Sequence, residues 1–261
     1  MQMTFDNLGF DIEDGVAIIT LNRPDKLNSF DNSMGSNLQS ALDHCLDNNE
    51  IRCVLLTGAG RGFCAGQDLE EAISGVSDIE EHVENKYNPL VRKIRALEKP
   101  VIAAVNGVAA GAGANLAFCC DIVVATESAK FIQSFVNIGL IPDTGGTYFL
   151  PRLVGLHKAA VMMMLGEKMI AEEAKDLGLV YKIFPDGELM EGALALAKRM
   201  AQMPTRGIGL TKKALNYSLR NTLNEQLAVE RDLQGMAGRT ADNAEGINAF
   251  LEKRKPVFKG E

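Results

Sequence analysis

The chain has 261 residues, 46% of them hydrophobic, enough to bury a sizeable core. Its formal charge of −7 and pI near 5.2 come without a long basic run, so nucleic acid and anionic membrane surfaces are excluded as natural partners. The five cysteines have no metal-ligand spacing, so reduced core thiols in a cytoplasmic protein are expected.

The chain opens as a hairpin, FDI and VAIITL joined by EDG. The start, MQMTFDNLGFDIEDG, lacks a basic segment followed by an apolar block, so no signal peptide is expected. Nor does any window reach the ~18 apolar residues of a membrane span. A polar loop, LNRPDKLNSF, leads to residues 32–48, where Met34, Leu38, Ala41, Leu42 and Cys45 recur at helical spacing. IRCVLLTG reads as a buried strand running into the glycine-rich GAGRGFCAG, with a short helix expected from about Gln67. A longer helix is predicted over 79–97, ending before Lys99–Pro100. VIAAVNG is a second buried strand, VAAGAGANLAFCC a tight turn opening a helix, and DIVVAT a third strand. AKFIQS reads as a short extended piece. Beyond Gly145 the pattern is mostly helical, interrupted by the strand LVYKIF, with four more helices between Asp186 and Lys253. Strands alternating with helices in the first half predict an α/β core with parallel strands, followed by a helical tail.

Three pieces bear on chemistry. Two strands end in small-residue loops that enter helices, GFCAGQDL and VAAGAGANL. Small residues let a ligand approach the main chain, and helix starts present unpaired N–H groups. Two such donors aimed at one point make an oxyanion hole for a carbonyl that becomes an enolate or tetrahedral anion. From spacing alone they are equally tight helix–strand turns. The third piece is Asp143, a lone carboxylate between Pro142 and Gly145–Gly146, after ten uncharged residues. Either it caps the following helix or closes a turn, or it is a desolvated general base. GAGRG also invites a dinucleotide reading, but it lacks the full G-x-G-x-x-G spacing, and neither a phosphate-binding P-loop nor a G-x-S-x-G elbow is present. His44, His82 and His157 read as solvated surface residues without metal-ligand partners, and the methionines at 162–164 as core packing.

Taken together, GFCAGQDL, VNGVAAGAG and LIPDTGGT resemble the crotonase, or enoyl-CoA hydratase/isomerase, superfamily. The likeness runs from VAIITLNRPDKLNSF to FLEKRKPVFKG. It implies a spiral of ββα turns over residues 1–200 and a helical trimerisation region over 201–261, in a homotrimer or dimer of trimers. It implies an acyl-CoA thioester as substrate, with coenzyme A part of that substrate and no further cofactor or metal. The two oxyanion donors would be the backbone N–H of Gln67 and that of Ala112, or else Gly113. Lys26, Leu27 and Asn28 and the stretch Ala65, Asp68 and Leu69 resemble CoA-contacting segments, and Gly111, Asn115 and Phe135 would face the acyl group. Phe250 and Lys253 match tail residues that meet the nucleotide end of CoA across a subunit boundary.

The departures narrow the chemistry. Hydratases of this family use two glutamates; this chain has Asn115 and Phe135 in their places and keeps Asp143, where isomerases of the family carry their acid/base. Gln67, Asn115 and Asp143 fit in particular the isomerase subgroup of phenylacetate breakdown, which turns a ring-epoxidised thioester into its oxepin form and shifts enoyl double bonds. A dehalogenase branch also carries an aspartate there, but it adds a tryptophan and a histidine; this chain has no tryptophan and has Pro89 in the histidine's place. An acyl-CoA isomerase with Asp143 as proton shuttle is therefore expected. An enoyl-CoA hydratase and a non-catalytic acyl-CoA binding protein are the alternatives.

Overall fold

A computed structural model describes residues 5–71 and 78–261. Its backbone alternates between two sheets. The first has six strands in the order β1-β2-β3-β5-β7-β10: β1 (Leu8–Glu13), β2 (Val16–Leu21), β3 (Cys53–Gly58), β5 (Val101–Val105), β7 (Ile122–Thr126) and β10 (Lys182–Phe184). Only β1 is antiparallel to its neighbour. It returns through Asp14 and Gly15, both at positive φ (48° and 79°), as a tight hairpin turn of two such residues demands. The second sheet has four strands of three residues each, in the order β4-β6-β8-β9: β4 (Gly62–Cys64), β6 (Val108–Ala110), β8 (Lys130–Ile132) and β9 (Lys168–Ile170). Each of β3, β5 and β7 is followed directly by a strand of the second sheet, and a helical passage then returns the chain, giving the expected spiral of ββα turns.

Residues of β3 and β5 are buried on both faces, which is why their sequences read as unbroken apolar runs. Val54, Leu56, Val101, Ala103 and Val105 point into the main core between the sheets. The alternate residues Cys53, Leu55, Ile102 and Ala104 point outward, onto helix 189–201. All five cysteines are buried and unpaired.

The helices, in chain order, are α1 (Asn32–Asp47), α2 (Ile79–His82), α3 (Asn88–Ala96), α4 (Ala112–Phe118), α5 (Gly146–Val154), α6 (Leu156–Leu165), α7 (Ala171–Asp176), α8 (Leu189–Ala201), α9 (Thr205–Ser218), α10 (Leu223–Ala237) and α11 (Ala241–Leu251). Asp31 caps α1 by accepting the Met34 amide at 2.7 Å, and the predicted apolar stripe of that helix is its buried face. Helix α8 covers the outer face of the six-stranded sheet with Leu189, Ala193, Ala197 and Ala201, spaced four apart. Among the described residues no helix is long and apolar enough to cross a membrane.

The tail is fastened by polar contacts. Lys212, buried, meets Asp121 at 2.7 Å, and Arg95 joins Asp121 (2.8 Å) to Asn216 (2.6 Å). Arg52, ahead of β3, donates to Thr205 Oγ1 at 2.9 Å and to the carbonyls of Met203 (2.6 Å) and Phe258 (2.9 Å).

The predicted helix over 79–97 is present but carries a π-helical turn at Val83–Tyr87, whose closing bond runs from the Asn88 amide to the Val83 carbonyl. Pro89 explains it: a proline has no N–H for the carbonyl four residues back, Asn85, and its ring crowds that group. Gln39 donates to the freed Asn85 carbonyl at 3.0 Å.

Candidate active site

The loops expected to carry chemistry lie at the C-terminal ends of β4, β6 and β8, which run parallel side by side. Gly66 stands at φ 92°, and a Cβ there would meet the Ala110 carbonyl at 2.9 Å and the Ala112 nitrogen at 3.5 Å. Only glycine lets the two loops touch at this point. Phe30 pairs with this loop as an isolated parallel bridge: its N–H donates to the Gly66 carbonyl (2.7 Å) and its carbonyl accepts the Asp68 amide (2.9 Å). In such a bridge the central residue's own N–H turns the other way, so that of Gln67 is directed away from Phe30. The Gly111 amide is taken by Ile132 O at 2.9 Å, and the next residues begin α4, whose first-turn amides have no partner within the helix.

These loops open onto a cavity of about 440 Å³ lined mainly by apolar groups. Ala65, Gln67, Leu69, Gly111, Ala112, Phe135 and Asp143, all singled out from the sequence, line it. Gly113 does not; its Cα packs on the Cys64 main chain, where an added Cβ would meet a carbonyl oxygen at 2.3 Å. Asn115, expected to face the acyl group, is instead fully buried behind the site, because its amide is needed there: Nδ2 donates to the Asp143 carbonyl (2.8 Å) and Oδ1 accepts from Gln133 Nε2 (2.8 Å). The side chain of Asn28 is likewise used inside its own loop, accepting the Arg23 amide and donating to the Ala59 and Gly62 carbonyls. Asp68 is held by Arg23 at 2.9 Å and caps the short helical stretch that begins at Leu69, two residues later than predicted. Lys26 is exposed and paired with Glu70, and Leu27 is half-buried. Phe250 and Lys253, on the exposed tail, are not among the residues lining this cavity within one chain. Of residues 74–88, the helix and loop expected from the sequence to shape the pocket, 74–77 lie outside the described residues.

Asp143 is presented by an unusual turn. The Gly146 amide closes onto the Asp143 carbonyl (2.8 Å), with Thr144 at φ 50° and Gly145 at φ 74° between them. Two successive left-handed residues, one of them a threonine, are strained backbone. Gly146 lies so close to Asn115 that a Cβ would meet its Nδ2 at 2.3 Å. The carboxylate does not cap α5, whose N-cap is Gly145 and has no side-chain bond. Its Oδ1 accepts the Thr144 hydroxyl at 2.8 Å. Burial pushes its pKa above the ordinary carboxylate range, only partly offset by that hydroxyl and its own backbone.

Two residues read as peripheral, or not singled out, belong to the cavity. His82 is half-buried rather than solvated, with Nε2 at 2.9 Å from Gln67 Oε1, and the buried Tyr87 donates its hydroxyl to the same oxygen. Five residues apart on an ordinary α-helix they would diverge by roughly 140°; the wider π turn brings them to one face. His44 is half-buried too, edge-on to Phe10 at 5.5 Å, whereas His157 is exposed as expected. Of the three methionines expected to pack, Met162 is buried, Met163 half-buried and Met164 exposed, because the helix turns the last away from the core. Among the described residues no three His, Cys, Asp or Glu are grouped to hold a metal.

The comparisons agree with this geometry. The chain matches the enoyl-CoA hydratase/isomerase family over residues 11–261. It is 50% identical to the 1,2-epoxyphenylacetyl-CoA isomerase of Escherichia coli (strain K12), over 96% of this chain and 97% of that one. It is 39% identical to the 2,3-dehydroadipyl-CoA hydratase of the same organism, over 94% and 95%. The crystal structure of an enoyl-CoA hydratase from Bacillus anthracis superposes with a TM-score of 0.91 at 35% identity, covering 98% of this chain and all of the other. With its two-sheet spiral, abutting small-residue loops and cavity in common with the expectation, the chain belongs to the enoyl-CoA hydratase/isomerase family and is a crotonase-fold enzyme.

Proposed function

We propose that this enzyme is an acyl-CoA isomerase in which Asp143 moves a proton between two carbons of the acyl group. The observation that carries the reading is a carboxylate at an apolar cavity wall, with a raised pKa and the Thr144 hydroxyl as its side-chain partner. A base in that setting lifts a carbon-bound proton near neutral pH and returns it elsewhere. The thioester oxygen would take the developing charge between the backbone N–H groups of Gln67 and Ala112; Ala112 is favoured over Gly113 because it lines the cavity. Each such donor is worth about 3 kcal/mol of transition-state stabilisation. Phe135, buried beside Gly111, helps exclude water. The substrate class that the resemblance and the similarity to a 1,2-epoxyphenylacetyl-CoA isomerase support is a ring-epoxidised arylacetyl-CoA rearranging to its oxepin, together with 3-enoyl-CoA shifting to 2-enoyl-CoA.

Hydration is the second reading, favoured by relatives that carry the hydratase name. Against it stand Asn115, buried and bonded at both ends of its amide, and Phe135, which offers no acid or base. A trimer-based assembly in which residues 201–261 oligomerise, and Phe250 and Lys253 reach a neighbour's CoA, belongs to the same proposal, as does a cytoplasmic setting.

The test is direct. Purified enzyme mixed with 3-enoyl-CoA raises ultraviolet absorbance as the double bond conjugates with the thioester. Asp143→Asn abolishes the change while CoA-ester binding survives. Near wild-type turnover in that variant sinks the shuttle, and brisk hydration of crotonyl-CoA favours the hydratase reading.

A further inference from the structure

Gln67 has more partners than a simple cavity-lining residue needs. Its Oε1 accepts the Tyr87 hydroxyl and lies 2.9 Å from His82 Nε2. The rings of His82 and Tyr87 stack edge-on at 5.4 Å, and Tyr87 is braced in turn against Phe30 at 5.8 Å. Burial, helped by Lys86, lowers the pKa of His82, which favours the neutral ring beside Gln67. Burial, with the Asp143 charge second, pushes the Tyr87 hydroxyl above its usual range, so it stays a donor.

Tyr87 and a neutral His82 can each donate or accept, so what decides which way the carboxamide points is the acceptor at its other end, the Asp68 carbonyl. Reversed, it would set Oε1 against the Asp68 carbonyl, acceptor to acceptor. In the observed orientation Nε2 has, among the described residues, a single long contact, 3.4 Å to that carbonyl. Its donor capacity is therefore left for the cavity, whose neighbouring walls are Leu69, Ile79, Phe135 and Leu140.

We infer that the Gln67 carboxamide is a specificity-determining donor to an oxygen atom carried on the acyl group, aimed by Tyr87 and His82 as positioning residues. The inference deepens the isomerase reading and rests on it. The thioester oxygen is already served by backbone amides, so a second, side-chain donor addresses a second oxygen. A plain hydrocarbon acyl group leaves this donor unpaired in an apolar cavity, whereas a ring bearing an epoxide or ether oxygen satisfies it. The hydrogen bond is neutral and moves no proton; bond changes remain with Asp143. Arylacetyl thioesters with a ring oxygen are thus preferred over straight-chain 3-enoyl thioesters.

The experiment compares kcat/KM for a ring-epoxidised arylacetyl-CoA and a 3-enoyl-CoA in the wild type, Tyr87→Phe and Gln67→Met. Tyr87→Phe keeps the ring packing and removes one aiming bond. It lowers the preference for the oxygenated substrate by about tenfold, the equivalent of one neutral hydrogen bond, mainly through a higher KM for that substrate. Gln67→Met keeps the backbone amide and lowers the preference by at least as much. Equal losses on both substrates, or an unchanged ratio in both variants, overturns the inference. Asp143→Asn is run alongside: turnover surviving in it defeats the proton-shuttle reading, while the substrate ratio still judges Gln67.

Discussion

Two aspartates stand near one cavity and are treated in opposite ways. In the loop after β4, Asp68 is matched with the Arg23 guanidinium at 2.9 Å and accepts the Glu70 amide. Burial works against its charge, but Arg23 together with the Glu70 and Glu71 amides outweighs it and holds the carboxyl below the usual carboxylate range. In the turn before α5, Asp143 has a hydroxyl for a partner and is pushed above that range by burial. A cation satisfies a carboxylate and makes it part of the scaffold; withholding the cation leaves it basic. The backbone follows the same division, for the Asp68 loop is pinned by Phe30, while the Asp143 turn is held in a strained form through its carbonyl.

Four measurements bear on the contrast between the two aspartates. The largest effect is expected at Asp143: Asn there lowers kcat by about a thousandfold, within the usual range for a general acid–base group, measured by single-turnover absorbance. Next, Arg23→Ala destabilises the fold by about 2 kcal/mol, between exposed and buried ion-pair values, read from urea unfolding, with kcat falling less than tenfold. Gly146→Ala pushes on the Asn115 amide and costs about 1–2 kcal/mol of stability from overpacking; its kcat falls more than its stability predicts, because Asn115 holds the Asp143 carbonyl. The smallest effect is in pH dependence. Asp68, with its folded pKa depressed, contributes stability that is present above the unfolded value and lost as pH falls through the folded one. Asp143, with its folded pKa raised, contributes stability that is present below the unfolded value and lost as pH rises through the folded one. At neutral pH Asp143→Asn therefore melts above the wild type. An unchanged or lower melting temperature would break the contrast. The wild-type kcat/KM profile should lose activity with falling pH at an inflection above the ordinary carboxylate pKa.

Much of this was legible from residue order. The long buried strands announced themselves as apolar runs, and α1 by its spacing. Of the second sheet only β8 was legible, in the extended piece AKFIQS; GFC, VAA and KMI are three-residue strands, too short for a period to register. Asp143 was suspect because nothing charged surrounds it in sequence, but only coordinates exclude the capping alternative. His82 and Tyr87 were missed because a regular helical projection separates them. The signal was Pro89, in the middle of the helix predicted over 79–97, which forces the π turn. Asn115 bonds to the Asp143 carbonyl and to Gln133, which residue order does not reveal, since sequence cannot say whether an amide faces a ligand or its own chain.

The Arg52 clasp has a further consequence for how the molecule is made. Its guanidinium joins a residue near the first quarter of the chain to the carbonyl of Phe258, 206 positions later. No growing chain can close that link until Phe258 has left the ribosome. The spiral can stack early from neighbouring turns, but its last lock is a long-range closure and, by the usual cost of joining distant segments, a late step.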